Sequence, residues 1–142
     1  RMESGFIHWG HDISPEENQY QAGLKFAISY KKNIDFIGKQ ALMKIKDKEL
    51  DKRLMMFTLK ENKPGEPLLL HDEPIYLNDT IIGRTTSGNY SFCYEKNLSF
   101  GYVNSGNSYE TLKDKNIFIE VEKQKYAVDV LEKPLNEKKY KL

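Results

Sequence analysis

The sequence predicts a mainly β protein, in which an α/β opening segment of about 50 residues feeds a small β-barrel over residues 51–142. Three observations predict it. The apolar spacing changes from a helical period of 3.6 to a strand period of 2.0 at Arg53. Beyond that point, short alternating runs are separated by turn residues. Five or six strands in roughly 90 residues also favour closure, because a closed sheet leaves no exposed edge.

The elements follow in chain order. Ser14-Pro15-Glu16-Glu17 has the form of a capping box with proline at the first helical position. A short helix is expected there, ended by Gly23. Leu24, Phe26, Ile28 and Tyr30 alternate with Lys25, Ala27 and Ser29, as in a half-buried strand. Asp35 is the expected N-cap of a helix over 36–49, because Ile37, Ala41 and Ile45 recur at i, i+4 and i+8. That helix is expected to be the only one longer than two turns.

After Arg53, Leu54-Met55-Met56-Phe57-Thr58-Leu59 is apolar on both faces, as an interior strand is. Pro64-Gly65-Glu66-Pro67 is a turn cluster. Pro74-Ile75-Tyr76-Leu77 and Thr80-Ile81-Ile82-Gly83 flank Asn78-Asp79 and read as a hairpin. Leu98-Ser99-Phe100-Gly101-Tyr102-Val103 is a further strand. Ile117, Ile119 and Val121 lead through a turn at Lys123-Gln124 to Tyr126, Val128 and Val130. No internal repeat or low-complexity segment is present.

Composition excludes several classes. The chain has 142 residues, a length typical of one domain. Its 22 Lys+Arg against 21 Asp+Glu leave a net charge of +1, which argues against a dedicated nucleic-acid binder. No apolar run approaches the length of a bilayer span, so no membrane partner is expected. A single cysteine, Cys93, excludes an internal disulfide framework and a cysteine-based zinc cluster. The chain opens without an initiator methionine and without a basic-then-apolar leader. It reads as a piece of a longer protein with a cytoplasmic location.

The common catalytic templates are missing. There is no G-x-x-x-x-G-K-S/T loop, no G-x-G-x-x-G and no G-x-S-x-G elbow. The richest segment is His8-Trp9-Gly10-His11-Asp12. Two imidazoles three apart plus Asp12 are a conceivable metal set, but Gly10 interrupts a helix and no third ligand cluster is evident. The favoured reading is a loop with two hydrogen-bonded histidines and no metal. His71 follows a turn cluster and reads as exposed. Cys93, between Phe92 and Tyr94, has no assignable base or helix N-terminus and reads as structural. The lysine-rich end from Lys133 to Lys141 reads as a solvated terminus. Nine tyrosines offer faces for a flat ligand, although barrel strands favour tyrosine in any case.

Three stretches taken together are more specific. Arg1-Met2-Glu3-Ser4-Gly5 with Trp9-Gly10-His11-Asp12-Ile13 resembles the R-x-E-x-G…Y/W-G-x-D/E segment of the glycine-cleavage T-protein (aminomethyltransferase) family. Asp35-Phe36-Ile37-Gly38-Lys39-Gln40-Ala41-Leu42 is similar to that family's D-F-I-G-R/K-x-A-L helix start. Ile82-Gly83-Arg84-Thr85-Thr86-Ser87-Gly88, followed by Phe100-Gly101-Tyr102-Val103, resembles its barrel core. The fuller His8-Trp9-Gly10-His11-Asp12 form leans toward the T-protein-like C-terminal half of dimethylglycine and sarcosine dehydrogenases.

The resemblance implies the C-terminal portion of a tetrahydrofolate-dependent aminomethyl or methyl transferase. Residues 1–50 would be the end of a folate-binding middle domain. Residues 51–142 would be a six-stranded, Greek-key-like barrel that closes the folate and substrate channel. Arg1 and Tyr140 match positions that contact folate or substrate in the family, and Asp12 matches an acidic position read as structural. The family's catalytic aspartate and most of its pterin contacts lie upstream of the matched region. The resemblance therefore implies no catalytic residue in this chain and no activity by the chain alone. It implies tetrahydrofolate as cofactor of the complete protein and no flavin in this portion. Its partners would be upstream domains, in the same or a separate chain, and a small one-carbon donor. The alternatives are a non-catalytic accessory module of the same fold, of the iron–sulfur or tRNA-modification type, and a bare interaction barrel. Ser91-Phe92-Cys93-Tyr94-Glu95 does not match the K-G-C-Y-x-G-Q-E motif of the iron–sulfur branch.

Overall fold

Strand structure begins where the alternation begins. The computed structural model describes residues 1–61 and 63–132. Six strands form: β1 (Lys52–Leu59), β2 (Pro74–Leu77), β3 (Thr80–Ser91), β4 (Lys96–Asn104), β5 (Ile117–Val121) and β6 (Gln124–Leu131). All pairings are antiparallel in the order β1-β4-β3-β2-β5-β6, and β6 returns to β1 to close the barrel. The mainly β class and the six-stranded barrel expected from the sequence are both observed.

The doubly apolar β1 has two faces to bury. Met55, Phe57 and Leu59 enter the barrel core beside Ile75, Val103, Ile117 and Ile119. Met56, with Leu54 packed at its margin, faces a second cluster containing Met2, Leu98 and Phe100. Phe57, Leu59, Ile75 and Ile119 are fully buried. Each such side chain stabilises by about 1.5–3 kcal/mol relative to an exposed one. The hairpin at Asn78 forms as expected, with Asn78 in the left-handed region (φ 54°) that asparagine tolerates. The last hairpin turns one residue earlier than expected, at Glu122 and Lys123, with φ of 50° and 67°.

Helical expectations fare less well. Ser14 and Glu17 do make reciprocal capping contacts, but turns follow them rather than a helix. Residues 24–30 form no strand; Lys25–Ala27 is a single 3-10 turn. The helix expected over 36–49 shrinks to α1 (Lys39–Ile45), seven residues and less than two turns, and its N-cap is Gly38 rather than Asp35. Ile37 is fully exposed, Ala41 is exposed and only Ile45 is half-buried, so most of the apolar stripe is left uncovered among the described residues. Short helices depend on such packing. The region after Arg53 also contains a helix that the strand reading missed. It is α2 (Tyr109–Leu112), capped by Ser108, and it sends buried Leu112 into the barrel core.

The opening segment is tied to the barrel at β1. The Leu54 N–H donates to the Gln21 carbonyl (2.8 Å). The Gln21 amide donates to Asp51 (2.6 Å), and Lys52 pairs with Glu17 (2.5 Å).

Close strand approach demands glycine at Gly83. A Cβ there would lie 1.9 Å from the Tyr102 carbonyl oxygen on β4. Gly83→Ala is expected to lower stability by about 1–3 kcal/mol or more, read from urea midpoints at unchanged slope.

Candidate functional site

The site grows from an irregularity in β3. Consecutive strand residues normally point to opposite faces. A bulge between Thr85 and Ser87 suspends that alternation. The Thr86 and Ser87 hydroxyls therefore both donate to the same oxygen, Asp12 Oδ1, at 2.6 and 2.7 Å. The other oxygen, Oδ2, accepts the His8 backbone N–H (2.7 Å) and pairs with Arg1 Nη1 (3.0 Å). The Asp12 side chain is 0% exposed, a burial tolerated because its charge is paired and its lone pairs are filled. Its backbone carbonyl takes the Tyr102 hydroxyl (2.9 Å). The loop after Gly10 closes by Gly10 N–H to Ile13 O and Asp12 N–H to His8 O, both 2.8 Å.

Arg1 is oriented by the same network. Its Nη1 also donates to the Phe6 carbonyl and its Nη2 to Ser87 Oγ, both at 2.9 Å. A guanidinium carries five N–H donors. Nε–H and one Nη2–H find no acceptor among the described residues. The side chain is 37% exposed. It borders two hollows of about 270 and 280 Å³, one toward Glu3 and Ser91, the other toward His8, His11 and His71. A larger hollow of about 680 Å³ lies between the opening segment and the barrel wall, lined by Phe6, Tyr20, Leu24, Phe26, Met56 and Phe100; Arg1 does not line it.

Neighbouring groups are electrostatically settled. Burial, with the nearby Glu17 and Asp12 charges, pushes the Tyr102 phenol well above its ordinary value and keeps it a donor. Lys52 Nζ sits 4.9 Å from that ring's centroid. The Ser91 hydroxyl and Cys93 thiol hold Glu3 below the usual carboxylate range, against the opposing pull of burial. Burial raises Glu17, but hydrogen bonds from Lys52 and Ser14 outweigh it and leave Glu17 lowered. Cys93 Sγ donates to Glu3 Oε2 at 3.2 Å.

Of the residues anticipated from sequence, Arg1 and Asp12 meet directly. Tyr140 lies outside the described residues. His8 and His11 stack at 4.8 Å rather than converging with Asp12 on one point. The described residues contain no group of three or more His, Cys, Asp or Glu side chains placed to hold a metal ion. Two participants were not assigned to the site: Thr86 and Ser87, which the sequence placed only within the stretch that resembles the family's barrel core. His71, read simply as exposed, comes within 6.4 Å of the His11 ring.

Residues 52–136 match the family described as the glycine cleavage T-protein C-terminal barrel domain. The human protein named dimethylglycine dehydrogenase, mitochondrial, is 40% identical over 103 residues, which cover 72% of this chain and 12% of that protein. An aminomethyltransferase of Listeria innocua serovar 6a is 34% identical over 134 residues, covering 94% of this chain and 35% of its own. The crystal structure of glycine cleavage system aminomethyltransferase T from Bartonella henselae superposes with a TM-score of 0.80 at 23% identity. That match covers 99% of this chain and 38% of that one, and it is a likeness of fold. The chain thus spans from about an eighth to little more than a third of the length of these relatives.

Asp12→Asn leaves the Thr86 and Ser87 hydroxyls facing a weaker acceptor and removes the partner of Arg1. It is expected to cost about 1–3 kcal/mol in denaturant unfolding. The lowered Glu3 and Glu17 set a pH dependence of known sign. Their stabilisation is fully present above their ordinary value of 4.5 and disappears as pH falls through the lower values of the folded state. Unfolding free energy should therefore drop between about pH 5 and pH 3, and Glu17→Gln should flatten that slope.

Proposed function

We propose that this chain, which belongs to the glycine cleavage T-protein C-terminal barrel family, closes the folate and substrate channel of a one-carbon transferase. In this reading, residues 1–50 end a folate-binding middle domain and residues 51–142 form the closing barrel. The rest of the active site comes from upstream domains, in the same polypeptide or a separate chain. The single observation that carries the proposal is Arg1. Its guanidinium is fixed by buried Asp12 yet keeps two N–H donors free of described acceptors beside open hollows.

That donor set fits a carboxylate, which a guanidinium engages through two parallel hydrogen bonds. Tetrahydrofolate, when bound, supplies the nitrogen that accepts the one-carbon unit. Arg1 holds an anionic group of folate or donor, and Tyr140 is proposed to line the same site. Asp12, Thr86 and Ser87 orient Arg1 without touching the ligand, so this chain contributes positioning rather than bond-making. Exposed Phe6, Trp9, Phe26, Ile34, Ile37 and Met43 supply the apolar surface on which the upstream domains rest. The cytoplasm is the proposed location, to be tested by fractionation against the mitochondrion, which one relative carries in its name.

Calorimetric titration with tetrahydrofolate tests the reading. The polypeptide joined to its upstream domains should bind, and Arg1→Lys should weaken binding roughly tenfold, or about 1.4 kcal/mol, with little change in melting temperature. The chain alone should gain no more than about 0.4 kcal/mol of stability at a ligand concentration equal to a weak Kd. A tight complex with the chain alone, or an Arg1→Lys variant of unchanged affinity, overturns it.

A further inference from the structure

All three histidines of the protein gather at one hollow, although His71 is distant in sequence from His8 and His11. The hollow measures about 280 Å³ and is walled by these imidazoles, Arg1, and the Thr86 and Ser87 hydroxyl residues. Among the described residues, no carboxylate lines it. Asp12 lies behind the wall with its oxygens committed to Arg1, Thr86, Ser87 and the His8 N–H. Every described side chain able to carry charge into the hollow is cationic or can become so.

We infer that this hollow is a binding site for a polyvalent oxyanion, gripped by His8, His11 and His71 together with the free donors of Arg1. The ring geometry favours an anion over a metal ion. His8 and His11 are stacked 28° from parallel, and the lone pairs of stacked rings do not converge on one point as tetrahedral ligation requires. Two imidazoliums 4.8 Å apart repel each other. An oxyanion beside them offsets that repulsion.

The charged groups facing the cluster are few. Arg1 comes from the opening segment. Asp72, on the loop before β2, holds His71 Nδ1 at 2.9 Å and leaves Nε2 as that ring's other nitrogen. Arg84 on β3 lies 3.9 Å from Asp72. Asp12 is the buried counter-charge to Arg1. The inference shares Arg1 with the proposed function but rests on the three histidines, so the His11→Gln/His71→Gln variant, which leaves Arg1 in place, separates its failure from the failure of that reading.

The test follows the three histidine ring resonances by NMR in the 142-residue chain, titrated with a tetraglutamate peptide and, in parallel, with inorganic phosphate. At about pH 6 all three rings should shift saturably with at least one probe. Tighter binding of tetraglutamate assigns a polycarboxylate ligand, and tighter binding of phosphate a phosphate-bearing one; either supports the site. Affinity should weaken roughly tenfold between about pH 6 and pH 8. The same loss is expected in His11→Gln/His71→Gln, whose two positions are exposed and whose melting temperature should not change. Absence of saturable histidine shifts with both probes overturns the inference. So does equal affinity in the double variant, or stoichiometric zinc binding at micromolar concentration that excludes the anion.

Discussion

One buried carboxylate holds the opening segment to the barrel. Asp12 is wholly removed from solvent and must have every lone pair engaged, since an unpaired buried charge costs several kcal/mol. The partners that satisfy it come from two places, Arg1 and His8 of its own segment and Thr86 and Ser87 of β3, while the Tyr102 hydroxyl of β4 holds the Asp12 backbone carbonyl beside it. Removing any of them leaves the others aimed at an under-satisfied charge. The network is thus a geometric constraint on where the first residues of the chain can lie.

The bulge in β3 is what makes that constraint possible. A regular strand would send Thr86 and Ser87 to opposite faces, and one hydroxyl would be lost to the barrel exterior or its core. The extra residue turns both toward Asp12 Oδ1. A guanidinium anchored in this way has little rotamer freedom left to lose when a ligand arrives. The hydroxyls that fix it sit on paired strands rather than on a loose loop.

The barrel was legible in the sequence because its signal is local. Period-two alternation at Ile117, Ile119 and Val121, the Asn78-Asp79 turn, and the doubly apolar run from Leu54 each specify their own structure. The opening segment was legible only as composition. Ser14 and Glu17 carry a true capping interaction, yet capping satisfies donors without propagating a helix. Phe26 and Ile37 look like core positions in the sequence but lie exposed among the described residues. Amphipathic patterns name a buried face without naming what buries it. Asp12 could be read as structural from its place after Gly10. The pairing of Asp12 with Thr86 and Ser87 could not, because a bulge has no reliable residue signature and joins positions more than seventy apart. The meeting of His71 with His11 was hidden by the same sequence distance.

The six seams of the barrel are unequal. β3 and β4 are paired from Gly83–Val103 to Ser91–Lys96, whereas β2 meets β5 only from Ile75–Ile119 to Leu77–Ile117. On its other side, β6 meets β1 only from Met56–Leu131 to Leu59–Val128. The β5–β6 hairpin is therefore a stave held by two short joints, while the remaining four strands form a continuous curved sheet. In such a ring the shortest joints are the first to give, so amide hydrogens of the stave are expected to exchange with solvent ahead of global unfolding. Tyr102 and Gly83, by contrast, sit on the continuous sheet. The wall that carries Thr86, Ser87 and Tyr102 is thus the more extensively paired one.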